Sequence, residues 1–98
     1  MNKSVDTIPL VRKENIHLLT FPTEEVLKEK DAIEKRVAAL HHATSLGNLS
    51  QHKVDILFED QEGLKRVRTT IWAIANRKIF LKDHKSIPIH RIHGVSIT

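Results

Sequence analysis

Seven histidines, two acids around a hairpin glycine and a scatter of lysines and arginines are the residues of this chain with chemistry to offer. His90 and His93 lie three apart in a segment whose apolar residues alternate, so on a regular strand they face opposite sides. His41 and His42 are adjacent on a helical segment and diverge by about 100°. Neither pair has the i,i+4 helical spacing or the carboxylate companion that metal ligands usually show. The histidines therefore read as surface or interface residues, and no metal or cofactor is expected. Asp60 and Glu62 form a carboxylate pair only if the turn that holds them is a site; acids in a hairpin turn are ordinarily solvated. With no cysteine, disulfides, thiolate zinc sites and cysteine nucleophiles are excluded. G-x-S-x-G, H-E-x-x-H and G-x-G-x-x-G patterns are absent, and three glycines leave little for a phosphate-cradling loop. A non-enzymatic protein is the expectation.

Positive charge carries more. The chain has a formal net charge of +4 and a pI near 9.6, which leans toward polyanionic partners. Lys65, Arg66 and Arg68 crowd one strand start, Arg77 and Lys78 mark one turn, Lys82, His84 and Lys85 the next, and His90, Arg91 and His93 the last strand. Turns at one end of a meander come together, so these groups predict one or two basic patches suited to phosphate contacts. The competing reading is edge protection, because cations on outer strands deter pairing with other chains. Trp72 and Phe80 have the faces to stack on bases, yet their strand positions read as core.

These residues must be positioned by few elements. A chain of 98 residues fits a single domain, 1–98, that buries only roughly two-thirds of its unfolded surface, so oligomerisation would add stability. No segment approaches the ~20 apolar residues of a membrane span, and nothing near Met1 reads as a signal peptide. A cytoplasmic protein without a membrane partner is expected. Residues 1–22 read as an N-terminal arm in which Ile8-Pro9-Leu10-Val11 and Ile16-His17-Leu18-Leu19 are extended apolar patches. Thr23 reads as an N-cap with Glu24 and Glu25 in the first turn, and Gly47 as the stop, which gives a helix over 23–46. Val26, Ile33, Val37 and Leu40 share one face of it, widened by Leu27, Ala43 and Leu46, opposite Lys28, Glu29, Asp31, Glu34, Lys35 and Arg36. This stripe is the candidate interface between subunits.

From Lys53 the period becomes two. Val54, Ile56 and Phe58 mark a strand, and Asp60-Gln61-Glu62-Gly63 a tight hairpin. A second strand from Leu64 to about Ala75 is long enough to require a bend or bulge. Asn76-Arg77 is the next turn, and 78–82 the third strand. The parity of Ile87, Ile89, Ile92, Val95 and Ile97 shifts, which predicts a bulge or a break. The expected class is α+β, mainly β: an arm, a long amphipathic helix and a strongly bent, partly open antiparallel barrel over 53–98. The alternative is a helix packed on a four-stranded antiparallel sheet.

With KVDILFEDQEG as an opening strand and hairpin, RVRTTIWAIANRKIFLKD as a bent pair and SIPIHRIHGVSI as closing strands, Lys53 to Ile97 resembles the Sm-like family of small barrels. Such barrels typically form rings and bind RNA. The resemblance covers about half the chain. Members carry an aspartate and an asparagine between the second and third strands, where a base binds; here Asn76 stands in without the acid. Their arginine-glycine turn is replaced by Arg91-Ile92-His93-Gly94. The resemblance implies single-stranded RNA as partner, contacts at Asn76, Arg77, His90 and Arg91, and a homo-oligomer as the assembled form; the positive charge adds Arg66, Arg68 and Lys78 to the candidate contacts. The second expectation is an assembly or protein-interaction module without a nucleic-acid role, built on the Val26, Ile33, Val37, Leu40 stripe.

Overall fold

The computed structural model describes residues 7–97; Met1 to Asp6, the start of the expected arm, and Thr98 lie outside the described residues. One helix, α1 (Lys30–Ser50), precedes six strands: β1 (Val54–Asp60), β2 (Gly63–Thr69), β3 (Ile71–Ala75), β4 (Lys78–Leu81), β5 (Ser86–Pro88) and β6 (Ile92–Ile97). They form two three-stranded antiparallel sheets, ordered β2-β1-β6 and β3-β4-β5. Among the described residues the sheets do not close into a barrel. The architecture is α+β, two small antiparallel sheets with one helix against them.

Alternation does what it should in β1, where Val54, Ile56, Phe58 and Asp60 turn inward and their neighbours stay half exposed. The expected long second strand is there, but Thr70 interrupts it, so β2 serves one sheet and β3 the other. The parity shift near the C-terminus is a break: a 3-10 turn over Ile89–Arg91 separates β5 from β6. Both sheets, α1 and the arm feed one core, with Phe58, Ile71, Ile79, Ile87 and Ile92 fully buried beside Leu40 and Ile16. The second apolar patch of the arm is not extended; it coils into a 3-10 helix over Lys13–Leu18 and drives Ile16 into that core. The first patch lies along β2, where the Val11 N–H donates to the Arg66 carbonyl at 2.7 Å and the Arg66 N–H to the Pro9 carbonyl at 3.0 Å.

The helix departs from expectation at both ends. It starts at Lys30, not at Thr23, because tertiary partners occupy the backbone and side chains of the preceding segment. The Val26 N–H donates to the His90 carbonyl at 3.0 Å, and Glu25 accepts from the Leu27 N–H at 3.0 Å and from Arg36. At its far end the helix runs through Gly47 to Ser50, and Gln51 takes the left-handed cap conformation at φ 54°. Gly47 serves packing. A Cβ there would collide with the Ile71 carbonyl oxygen, so the glycine lets α1 lie directly on β3.

The buried stripe of α1 is also rotated from the expected one. Arg36, Leu40, Ala43 and Gly47, stepping by four, three and four, face the sheets. Of the proposed interface residues, Leu40 is fully buried in the chain's own core, Ile33 and the pre-helical Val26 are half-buried, and Val37 is 41% exposed. They do not share one open face. No helix among the described residues is long and apolar enough to cross a membrane.

Candidate nucleic-acid interface

The β3–β4 connection is a two-residue hairpin in which Ala75 pairs with Lys78, and Asn76 and Arg77 have φ of 52° and 63°. This geometry needs positive φ at both central residues, which suits asparagine at the first and normally calls for glycine at the second. Arginine in the left-handed region costs on the order of 1 kcal/mol. The turn is nonetheless fixed, because the Arg77 carbonyl accepts the Ile89 N–H at 2.9 Å and Lys78 pairs with Pro88.

Across from it the 3-10 turn carries His90, whose Nε2 lies 3.0 Å from the Pro22 carbonyl oxygen. Thr23 follows Pro22. Between these walls lies a half-open cleft of about 590 Å³, lined by Thr23, Arg36, Asn76, Arg77, Lys78 and His90, with Pro88 and Ile89 as its apolar part. The Arg36 guanidinium is 5% exposed and holds both Glu25 oxygens, at 2.7 and 2.6 Å, and the Ile92 carbonyl at 3.1 Å. Its hydrogen bonds to Glu25, opposed by burial and aided by the Leu27 amide, hold the Glu25 carboxyl down at about 2. Arg36 Nε, by contrast, is buried without a partner among the described residues. Arg77 and Lys78 are exposed, and among the described residues neither side chain has an ion-pair or hydrogen-bond partner. Free cations on the rim and a mostly apolar lining together suit a phosphate beside the face of a flat ring.

Four of the candidate residues, Asn76, Arg77, Lys78 and His90, thus meet at one cleft. Three do not. Arg91 is buried and donates to the Glu59 carbonyl at 3.0 Å and the Glu24 carbonyl at 2.7 Å, which ties the pre-helical segment to β1. It is bound into the fold and does not line the cleft. Arg68 is held bidentately by Asp55 at 2.9 Å, and this bond keeps the Asp55 carboxyl below its usual range. Arg66 donates from Nε to the Ile8 carbonyl at 3.2 Å and serves the arm.

Sequence reasoning missed Arg36 and Thr23. The apolar stripe puts Arg36 on the polar face, yet its spacing to Leu40, Ala43 and Gly47 is a signal in the sequence itself. Of the two acids at the first hairpin, Glu62 is exposed as expected and Asp60 is not. Asp60 is 2% exposed; its Oδ1 accepts the Glu62 and Gly63 amides and its Oδ2 pairs with Lys65 at 2.7 Å. Burial pushes its carboxyl upward, but Lys65 and the two amides outweigh burial and leave it lowered. His93, the extra residue of a bulge opposite Leu57 and Phe58, lies 2.9 Å from Glu59 Oε1. Among the described residues no three His, Asp or Glu side chains converge as a metal site would require. The chain matches no protein-family model, no curated protein and no solved structure.

Proposed function

We propose that this chain is a non-enzymatic, Sm-like RNA-binding module whose cleft between the Asn76-Arg77 turn and His90 holds single-stranded RNA. The observation that carries the reading is Arg77, a cation without a partner among the described residues, held in a backbone conformation that glycine would occupy at less cost, on the rim of the half-open cleft. Support for the Sm-like part comes from the extended segment 63–75, which passes from one sheet to the other at Thr70, and from the short turn between β5 and β6. In this reading copies of the chain assemble, since β5 and β6 are outer strands of their sheets.

The test is fluorescence anisotropy of labelled single-stranded RNA at low and near-physiological salt, with duplex DNA as competitor. Saturable binding that resists the competitor is expected. The double reversal Arg77→Glu, Lys78→Glu should weaken it by at least about tenfold while leaving the fold intact. Undiminished binding by that variant would remove the cleft from consideration. The second reading, an interaction module, draws on Leu49 and Val37, which α1 exposes by 84% and 41%. A Val37→Asp variant that turns an oligomer into monomers in light scattering, with no RNA bound by the wild type, would favour it.

A further inference from the structure

At the other end of β4 a second group of residues has no role in the cleft. Trp72, the chain's single tryptophan, is the extra residue of a bulge: Ile71 pairs with Leu81 and Ala73 with Phe80, and the indole between them is left 38% exposed. It lines a surface hollow with Phe80, Lys82, Asp83 and His84. Bulges re-aim side chains, and here the bulge takes the largest aromatic out of the core where its strand position had placed it. Lys82 belongs also to a second hollow, of about 380 Å³, whose other cations are Arg12 and Lys13 from the arm, Lys53 before β1 and Arg68.

The charges on this second hollow do not balance. Asp83 pairs with Lys13 at 3.2 Å and Asp55 holds Arg68. Glu14 is the remaining acid on the lining, so Arg12, Lys53 and Lys82 are left with one carboxylate among them. Three like charges drawn from three separate elements repel unless an anion comes from outside. Lys82 is nevertheless held in place: its N–H donates to the Thr70 carbonyl at 3.3 Å, and the Leu81 N–H to the Lys85 carbonyl at 2.7 Å closes the turn. Asp83 and His84 both sit in the left-handed region, at φ 67° and 64°, so this turn holds backbone strain as the Asn76-Arg77 turn does.

An exposed aromatic that shares one hollow with Lys82, which in turn shares the next with Lys53 and Arg12, offers what single-stranded nucleic acid requires, a platform for a base and charges for the flanking phosphates. We infer that Trp72 with Lys82, Lys53 and Arg12 forms a second RNA contact, in which one base stacks on the indole and the backbone runs over the cations. The inference rests on the proposal that the chain binds single-stranded RNA, and adds a face to it. Lys78 and Lys82, at the two ends of β4, are about 14 Å apart along an extended strand, so one RNA chain can reach both.

The test titrates the full chain with an oligoadenylate of about ten nucleotides, within the range one small β-module covers. Anisotropy of a label on the oligonucleotide and emission of Trp72 are followed together. Saturable quenching of Trp72 at the same midpoint as the anisotropy change is expected. Trp72→Leu should weaken binding about tenfold. Lys53→Gln with Lys82→Gln should reduce the slope of log K against log salt by about 1.4, two single-strand phosphate contacts. Anisotropy that saturates while Trp72 emission and the salt slope stay unchanged would overturn the second contact and leave the cleft standing. No anisotropy change at all would overturn both. Quenching that survives Arg77→Glu, Lys78→Glu with full affinity would leave the Trp72 face as the binding surface.

Discussion

Among the described residues two hairpins close through two-residue turns, and they are built on opposite terms. At Asp60–Gly63 the residue with positive φ is a glycine, at 134°, and the one buried acid has both oxygens occupied, by two amides and by Lys65. At Asn76-Arg77 the residue that glycine would suit is an arginine, and neither it nor Lys78 has an ion-pair partner among the described residues. The first hairpin spends its polar groups on itself. The second leaves its cations unpaired among the described residues and carries a cost in backbone energy, a pattern that fits the proposed RNA site.

The comparison is open to attack from several sides. Asp60→Ala should have the largest effect, since it strips two amides of their acceptor and leaves Lys65, 14% exposed, with only solvent-facing Glu62. A loss of about 3 kcal/mol, or roughly 15 °C in Tm, is expected in thermal denaturation. On the proposed reading, RNA affinity of the folded protein should not change. Arg77→Gly should act in the reverse sense and more weakly. Relief of the left-handed arginine, less the added freedom of the unfolded chain, should raise stability by about 0.5–1 kcal/mol while RNA binding falls. A destabilised Arg77→Gly would end the contrast between the hairpins. Mild acid gives the smallest effect. Glu25 has its folded value, about 2, below the ordinary 4.5, so the stability it lends is complete above pH 4.5 and is lost as pH falls from there toward 2. Asp60, also lowered, loses its share below its usual 3.8. Tm recorded from pH 6 downward should hold to about 5 and then decline, and Glu25→Gln should flatten the upper part of the decline.

What the sequence disclosed was local. The Asp60–Gly63 hairpin, the Asn76-Arg77 turn and the interruption near Ile89 all follow from turn chemistry and from the parity of neighbouring apolar residues, which no distant contact can alter. The helix start was hidden because Thr23-Glu24-Glu25 carries good capping chemistry, and what overrides it, the His90 carbonyl and the guanidiniums of Arg36 and Arg91, lies 11 to 67 residues away. Gly47 reads equally as a stop and as a point of close approach, and only the position of Ile71 decides between them. In the cleft, the hairpin residues were legible. Its floor was not, because a buried arginine looks like any other charged residue until its partners are known.

The arm has a consequence for how this chain behaves in a crowd. Residues 9–11 occupy the outer rim of β2 with bonds to both the N–H and the carbonyl of Arg66. The middle of that rim is therefore blocked to another chain, and β6 is the uncovered edge of the first sheet among the described residues. A protease cut within residues 12–15 would free the plug and bare a second template for strand addition on the same sheet. A chain able to add neighbours on one side stops at a limited assembly; one able to add them on both sides can polymerise without end.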